Sequence, residues 1–213
     1  MICLRSFRAP VKTGAKQRWI IYLNPPGLCY NVNMRLGAFE LNEPVRNSIK
    51  IILLNDADEL LLMCIDDPKT RSIGGEYKGP FWQLIGGQIE ANETVLEAAV
   101  REVFEETGMS KEDIEFGPLV WFGELDLILY GKPTHINLQF IVARTKQKTL
   151  SLANLTQGET KVVKHLAWFS LDCIVNSGEI IYPVLLPDYL PDIIAGKYPE
   201  EPFEINLAVE VRS

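Results

Sequence analysis

Histidine is nearly absent from these 213 residues, with only His135 and His165 in the chain. So few imidazoles argue against a histidine-built metal centre. They also argue against a Ser-His-Asp triad, since no serine stands in a nucleophile-elbow pattern. Cysteine is scarce too: Cys3, Cys29, Cys64 and Cys173 are scattered without any short paired spacing. That excludes a zinc ribbon or a disulfide framework and reads as reduced thiols in a cytoplasmic protein. No apolar run approaches the roughly 20 residues of a membrane span, so no membrane partner is expected. Acids are missing from the first 39 residues, which carry Arg5, Arg8, Lys12, Lys16, Arg18 and Arg35. Residues 40–213 therefore hold all 28 acids with 15 of the 21 bases, a net charge of −13. An acidic body argues against extended nucleic-acid binding. It suits a site that gathers metal ions ahead of an anionic substrate. The basic start lacks the clean apolar core and the serine content of a targeting segment. Residues 1–45 are expected to form a basic arm or extra strands, with Met34 as an alternative translation start.

What the chain does contain is concentrated between Gly87 and Met109. Gly87 is followed after five residues by Glu93, and after seven more by Arg101-Glu102. Then come an aliphatic residue, Glu105-Glu106, and Gly108. Seven fixed identities at fixed spacing arise by chance at roughly one starting point in 10⁸. A helix from about Thr94 to Thr107 fits the pattern, because Leu96, Ala99, Val100 and Val103 recur at helical spacing as a buried stripe. Asn92 or Thr94 can cap its start, and Gly108 suits the left-handed position that ends it.

On that helix Glu102, Glu105 and Glu106 fall within about a third of a turn of one another. Ala98 and Ala99 flank the acidic face and leave it uncrowded. Clustered carboxylates repel and need a counter-charge. Hard divalent cations prefer oxygen ligands, and Mg²⁺ binds through a few carboxylates together with substrate phosphates. Glycines ahead of the helix let backbone approach closely and leave carbonyls free to ligate. The plain alternative is a solvated acidic helix face, which the register of Gly87, Glu93, Arg101 and Gly108 argues against.

The stretch from Gly87 to Met109 resembles the Nudix box, the signature of hydrolases that act on nucleoside diphosphates linked to another group. The resemblance implies Glu105 and Glu106 as main metal ligands and Glu102 as a further ligand or general base. It implies the Gly86 carbonyl as a backbone ligand, Arg101 as the residue orienting a catalytic Glu, and Glu93 as a support of the loop–helix geometry. The implied cofactor is Mg²⁺ or Mn²⁺, which polarises a phosphoryl oxygen and activates a water. Two positions depart from the common pattern: Ile85 stands where many members have Pro, and Asn92 where many have Gly. Neither removes a ligand, and Asn tolerates the same left-handed backbone. Trp168-Phe169-Ser170-Leu171-Asp172 matches a further family element that follows an extra loop acid, which makes Glu159 a candidate ligand or base.

The rest of the chain reads as strands mixed with two or three helices, an α+β layered fold. Expected strands are Gln17–Leu23, Ser48–Leu54, Glu59–Cys64, Phe81–Ile85, Leu119–Tyr130, Thr134–Ala143 and Lys161–Phe169. Asp66–Pro80 and Lys111–Gly117 read as connections. Ser170 can cap a short helix through Val175, and Leu186–Ala195 reads as a last helix. The resemblance gives the specific version, a Nudix-type α/β/α sandwich around a mixed β-sheet over residues 46–196, with residues 197–213 as a strap. That strap packs over the sheet or joins a homodimer interface. Phe81, Trp82, Trp121, Phe122, Tyr130 and Phe140 are candidates for stacking on a base, although strand aromatics are more often core. Arg46, Arg71 and Lys78 could reach phosphates, and Glu124 and Asp126 could face the cleft. Their plainer alternative is a solvated surface.

Three functions compete. The first is a metal-dependent hydrolase cleaving a phosphoanhydride bond in a small nucleotide. The second is a catalytically idle nucleotide-sensing module, which an intact box argues against. The third is an isomerase of diphosphate esters on the same scaffold, for which a cysteine–glutamate framework is missing. Markers of the substrate subclasses are absent downstream of the box: Glu124 stands where ADP-ribose enzymes tend to carry Pro, and Tyr130 falls too late for the dinucleoside-polyphosphate pattern.

Overall fold

The computed structural model describes residues 20–22, 29–31 and 45–207. The chain divides into two compact units, Met1–Asn42 and Glu43–Ser213. In the first, strands β1 (Ile20–Tyr22) and β2 (Cys29–Asn31) pair antiparallel, on either side of the Pro25-Pro26-Gly27 run. The basic arm otherwise lies outside the described residues, and so do Met34 and the ends of the strand expected over Gln17–Leu23.

The second unit is built on β3 (Val45–Leu54), an Ile/Leu-rich run whose side chains alternate between two buried faces. Burial on both faces is what a strand inside a layered sheet requires. At its end the Asn55 carboxamide oxygen accepts the N–H groups of Ala57 and Glu59 at 2.8 and 3.0 Å, with Asp58 left-handed at φ 57°. That turn leads into β4 (Leu60–Ile65). Strands β3 and β4 pair only at the turn, Leu54 with Leu60, and then separate. Strand β5 (Arg71–Ser72) follows, and then β6 (Phe81–Leu84) fills the seam. β6 pairs antiparallel with β4, after which the chain changes partner and continues along β3. The Ile51 N–H donates to the Ile85 carbonyl at 3.0 Å, the Ile49 N–H to Gly87 at 2.9 Å, and the Ile89 N–H to Asn47 at 2.9 Å. The paired glycines of the box are thereby fixed where the two halves of the sheet diverge.

The helix α1 (Val95–Thr107) follows, then the long hairpin of β7 (Ile114–Leu129) and β8 (Lys132–Thr145). β8 lies parallel to β3 along all of β3's length. β9 (Val163–Phe169) pairs antiparallel with β4, and β10 (Ile181–Tyr182) lies parallel to β6. The short strand β11 (Phe203–Glu204) joins β7 in parallel and β5 joins it antiparallel, completing a nine-stranded mixed sheet. One face packs Ile49, Ile51, Leu53, Leu61 and Met63 against Ala98, Ala99 and Val103 of α1. The other packs Ile52, Leu54, Leu60 and Leu62 against Ile174 of α2 (Leu171–Asn176) and Leu186, Leu190 and Ile193 of α3 (Leu186–Ile194). Helices on both faces of a mixed sheet are the layered α+β sandwich anticipated from the sequence. No helix among the described residues is long and apolar enough to cross a membrane.

Two local expectations are corrected. Lys111–Gly117 is not a plain connection: a 3₁₀ turn at Lys111–Asp113 leads directly into β7, and Ile114–Phe116 pair with Ala143–Thr145. Gly117 and Pro118 sit at a register shift between Phe116 and Leu119 that the strand absorbs. Leu96 is not in the buried stripe of α1 but 46% exposed, because the helix turns its Ala98, Glu102 and Glu106 edge inward instead. Within residues 197–213, Phe203–Glu204 is a short strand beside β7, and the next residue, Ile205, joins the core with Trp121.

These placements predict a contrast in stability. Ile51→Ala, at a site with no exposure, is expected to cost about 2–5 kcal/mol, whereas Leu96→Ala is expected to stay within about 0.5 kcal/mol. Urea unfolding of the two variants checks this, and equal losses would contradict the orientation of α1.

Candidate active site

The helix carrying the acids is fixed at both ends. The Thr94 hydroxyl accepts the Glu97 N–H at 3.2 Å, and the Glu97 carboxylate accepts the Thr94 N–H at 2.8 Å, a reciprocal cap. Gly108 closes the helix at φ 74°, and Asn92 takes the left-handed backbone at φ 69° in the loop before it. So anchored, α1 turns two carboxylates inward: Glu102 is 4% exposed and Glu106 2%. Buried carboxylates are costly unless hydrogen-bonded and paired.

Each has partners. One Glu106 oxygen accepts the Gly86 N–H at 2.6 Å. Burial pushes the Glu106 carboxyl up to about 8, with the charge of Lys50 opposing the rise. Glu102 accepts from the Arg101 guanidinium at 2.8 Å, and burial raises its carboxyl as well, against the pull of Arg101. Glu159 opens a 3₁₀ turn (Glu159–Lys161), where one of its oxygens accepts from the Thr156 N–H and hydroxyl at 2.9 and 2.7 Å. That places it against the helix: one oxygen each of Glu102, Glu106 and Glu159 lie within 4.8 Å of one another.

The glycines are required by contact. A Cβ on Gly86, whose φ is 116°, would run into the Ile49 carbonyl, and one on Gly87 would lie 2.5 Å from a Glu102 oxygen. Arg101 holds the loop to the helix with its planar fork. It meets both Glu93 oxygens at 2.8 and 2.9 Å, the Gln88 carbonyl at 2.8 Å, Glu102 at 2.8 Å and Glu105 at 3.2 Å. This contact holds the Glu93 carboxyl below its ordinary range.

Of the residues singled out in the sequence, Gly86, Glu102, Glu106 and Glu159 are brought together. Glu105 is turned to Arg101 and stands outside the group of three carboxylates. Glu124 and Asp126 lie on β7 beside His135, at 3.4 and 2.7 Å. Trp121 and Phe140 are core residues, 2% and 1% exposed, and Arg46 donates to the Ser48 hydroxyl at 3.1 Å.

Sequence reasoning missed Lys50. Its ammonium donates to the carbonyls of Gly86 and Leu84 at 2.8 and 3.1 Å, facing Glu106 and Glu102. Burial pulls its affinity for protons down, and the two carboxylates pull it back up. The signal was present: one lysine inside the apolar run Ser48-Ile49-Lys50-Ile51-Ile52. The donor set as a whole, three carboxylates and a backbone carbonyl, is all oxygen and fits Mg²⁺ or Mn²⁺.

A model of the NUDIX domain family matches residues 44–188. "Putative nudix hydrolase 1" from Caenorhabditis elegans is 42% identical over 65 residues, 30% of this chain and 16% of its own length. "Putative 8-oxo-dGTP diphosphatase" from Bacillus subtilis (strain 168) is 38% identical over 58 residues, 27% of this chain and 32% of its own. The alignments thus span at most 32% of either relative. A NUDIX hydrolase structure from Nitrosomonas europaea superposes with a TM-score of 0.49 at 23% identity, over 74% of this chain and 94% of that one.

The buried acids set a pH dependence. Glu106 binds its proton more tightly in the folded chain than its ordinary value of 4.5 allows in the unfolded one. The folded state therefore carries the extra proton between those limits, and stability falls as pH rises from 4.5 through about 8. Melting temperatures in chelator are expected to decline across that window, and Glu106→Gln is expected to flatten the decline. A rising profile would contradict the buried placement of Glu106.

Proposed function

The chain belongs to the Nudix family, and from that premise we propose that it is a divalent-metal-dependent hydrolase cleaving a phosphoanhydride bond in a nucleoside diphosphate derivative or a nucleoside triphosphate. The observation that carries this reading is the convergence of Glu102, Glu106 and Glu159 beside the Gly86 backbone, within reach of a guanidinium that orients one of them. Glu102, Glu106, Glu159 and the Gly86 carbonyl would hold the ion, with Glu105 close by on the same helix. Mg²⁺ or Mn²⁺ supplies charge neutralisation at the phosphoryl group and activation of water.

The remaining work falls to the chain itself. Arg101 fixes the Glu102 carboxylate, so that a proton taken from water has a defined acceptor. Burial favours protonation of Glu102 and therefore suits it to accept that proton. Glu93 and the Gln88 carbonyl hold Arg101, keeping the loop docked on the helix. The Thr156 N–H and hydroxyl fix one Glu159 oxygen. The products are a nucleoside phosphate and a second phosphate-bearing fragment, or pyrophosphate where the substrate is a triphosphate.

We take residues 46–196 as the catalytic domain, with 1–45 as arm and 197–213 as strap. A small nucleotide is the partner. The free thiols of Cys64 and Cys173 support a cytoplasmic setting.

Phosphate and pyrophosphate release should be measured over nucleoside triphosphates, ADP-ribose, nucleotide sugars, NADH and dinucleoside polyphosphates. The name of the Bacillus subtilis relative adds 8-oxo-dGTP to that panel. Each substrate is run with Mg²⁺, with Mn²⁺ and with chelator. At least one is expected to turn over only with metal. Glu106→Gln is expected to remove activity by orders of magnitude, and Glu102→Gln on the order of 10²–10⁴-fold if it serves as base. Full activity in both variants would sink the assignment, and silence over the whole panel with metal still bound would favour a nucleotide sensor.

A further inference from the structure

From Ser48 to Asn55 every residue of β3 and its turn is buried except Lys50. Ser48 and Ile52, its neighbours on the same strand face, are 3% and 0% exposed. A lysine in such a strand needs a place for its charge, and this one has an outlet over the seam into the acid cluster. There its ammonium meets the Gly86 carbonyl at 2.8 Å, the Leu84 carbonyl at 3.1 Å and the charges of Glu106 and Glu102. Backbone carbonyl plus carboxylates is the oxygen set that a hard divalent cation selects. Two cations in contact with one carbonyl oxygen repel strongly at the low effective dielectric of a buried site. A lysine stem is flexible enough to give way.

We propose that Lys50 is a tethered cation that occupies the divalent-ion position at Gly86 and is exchanged out of it on metal loading. The proposal rests on the metal-dependent reading above and adds a property of this chain: the site is neutralised from within, and metal binding is a replacement. Two consequences follow from charge alone. Lys50 weakens the apparent metal affinity, because the incoming ion must displace it. Once displaced, its ammonium leaves two carbonyls and remains on the strand face that alternation gives it with Arg46 and Ser48. A second positive charge is then available beside Arg46 for the phosphates of a substrate.

The test uses the full chain and the metals alone. Mn²⁺ and Mg²⁺ affinities are measured by calorimetry for the unsubstituted protein, Lys50→Met and Lys50→Arg. Lys50→Met is expected to bind at least tenfold tighter, and Lys50→Arg, which keeps the charge, to stay near the unsubstituted protein. On the unsubstituted protein, lysine acylation followed by mass spectrometry reads the exchange directly. Labelling of Lys50 is expected to rise severalfold with Mg²⁺, while that of exposed Lys197 stays constant. This second arm holds even if the variants fail to fold. Metal binding with unchanged Lys50 labelling, or equal affinities in Lys50→Met and the unsubstituted protein, overturns the exchange and leaves the hydrolase reading standing. Absence of any metal binding by the unsubstituted protein overturns both.

Discussion

Two carboxyl groups, Glu102 and Glu106, lie buried against a sheet within reach of one another, and the surrounding structure is organised to hold them there. Left uncompensated, each would cost several kcal/mol in desolvation. Compensation comes from three directions. Arg101 reaches Glu102 from the next position on the helix, the Gly86 N–H reaches Glu106 from the loop, and Lys50 faces both from the strand. The Gly86 and Lys50 contacts survive only while α1, the glycine loop and β3 keep their relative places. The acid cluster therefore constrains the sheet as much as the sheet positions the cluster.

That constraint explains why the sheet is split. β3 and β4 separate beyond Leu54 and Leu60, and the segment 81–89 runs first along one and then along the other. A loop attached to only one strand could be displaced by the repulsion between its neighbours. One laddered to both, with N–H donations from Ile49 and Ile51, cannot move without breaking sheet hydrogen bonds. Gly86 and Gly87 let backbone and carboxylate come closer than any Cβ would permit. The two hydrophobic clusters on either face of the sheet supply the burial that offsets what the acids lose.

Much of this was legible in the chain. The helix and its caps followed from Thr94, Gly108 and the spacing of apolar residues, and the layered fold from the alternation of strand and helix patterns. The box, Gln88 included, contains every residue that binds Arg101; the resemblance implied its hold on a glutamate, while its pairing with Glu93 appears only in the structure. What could not be read was direction. Helical periodicity gives the angles between side chains, but whether Leu96 or the Glu102–Glu106 edge faces inward depends on what the sheet offers opposite. Lys50 lies well upstream of the box and meets it only because β3 accepts the box's backbone as a neighbouring strand. Long-range pairing of that kind leaves no local periodicity. Its trace was a charge where a buried strand should have none.

The arrangement also makes the site the place where stability is held below its maximum. A carboxyl raised to about 8 and a lysine pulled below its ordinary value describe charges kept in an environment that disfavours them. Apolar residues of similar volume in their place would be expected to fold with less strain, since buried ionic groups are often neutral or worse for stability than well-packed apolar ones. The charges are useful only to something that pairs with them better than they pair with one another. A doubly charged ion with oxygen affinity meets that condition, and binding it stabilises the folded chain in proportion to the logarithm of its concentration over Kd. On the metal-dependent reading, the electrostatic cost borne by the buried acids goes with a capacity to bind such an ion, and the folded state and a loaded site would support each other.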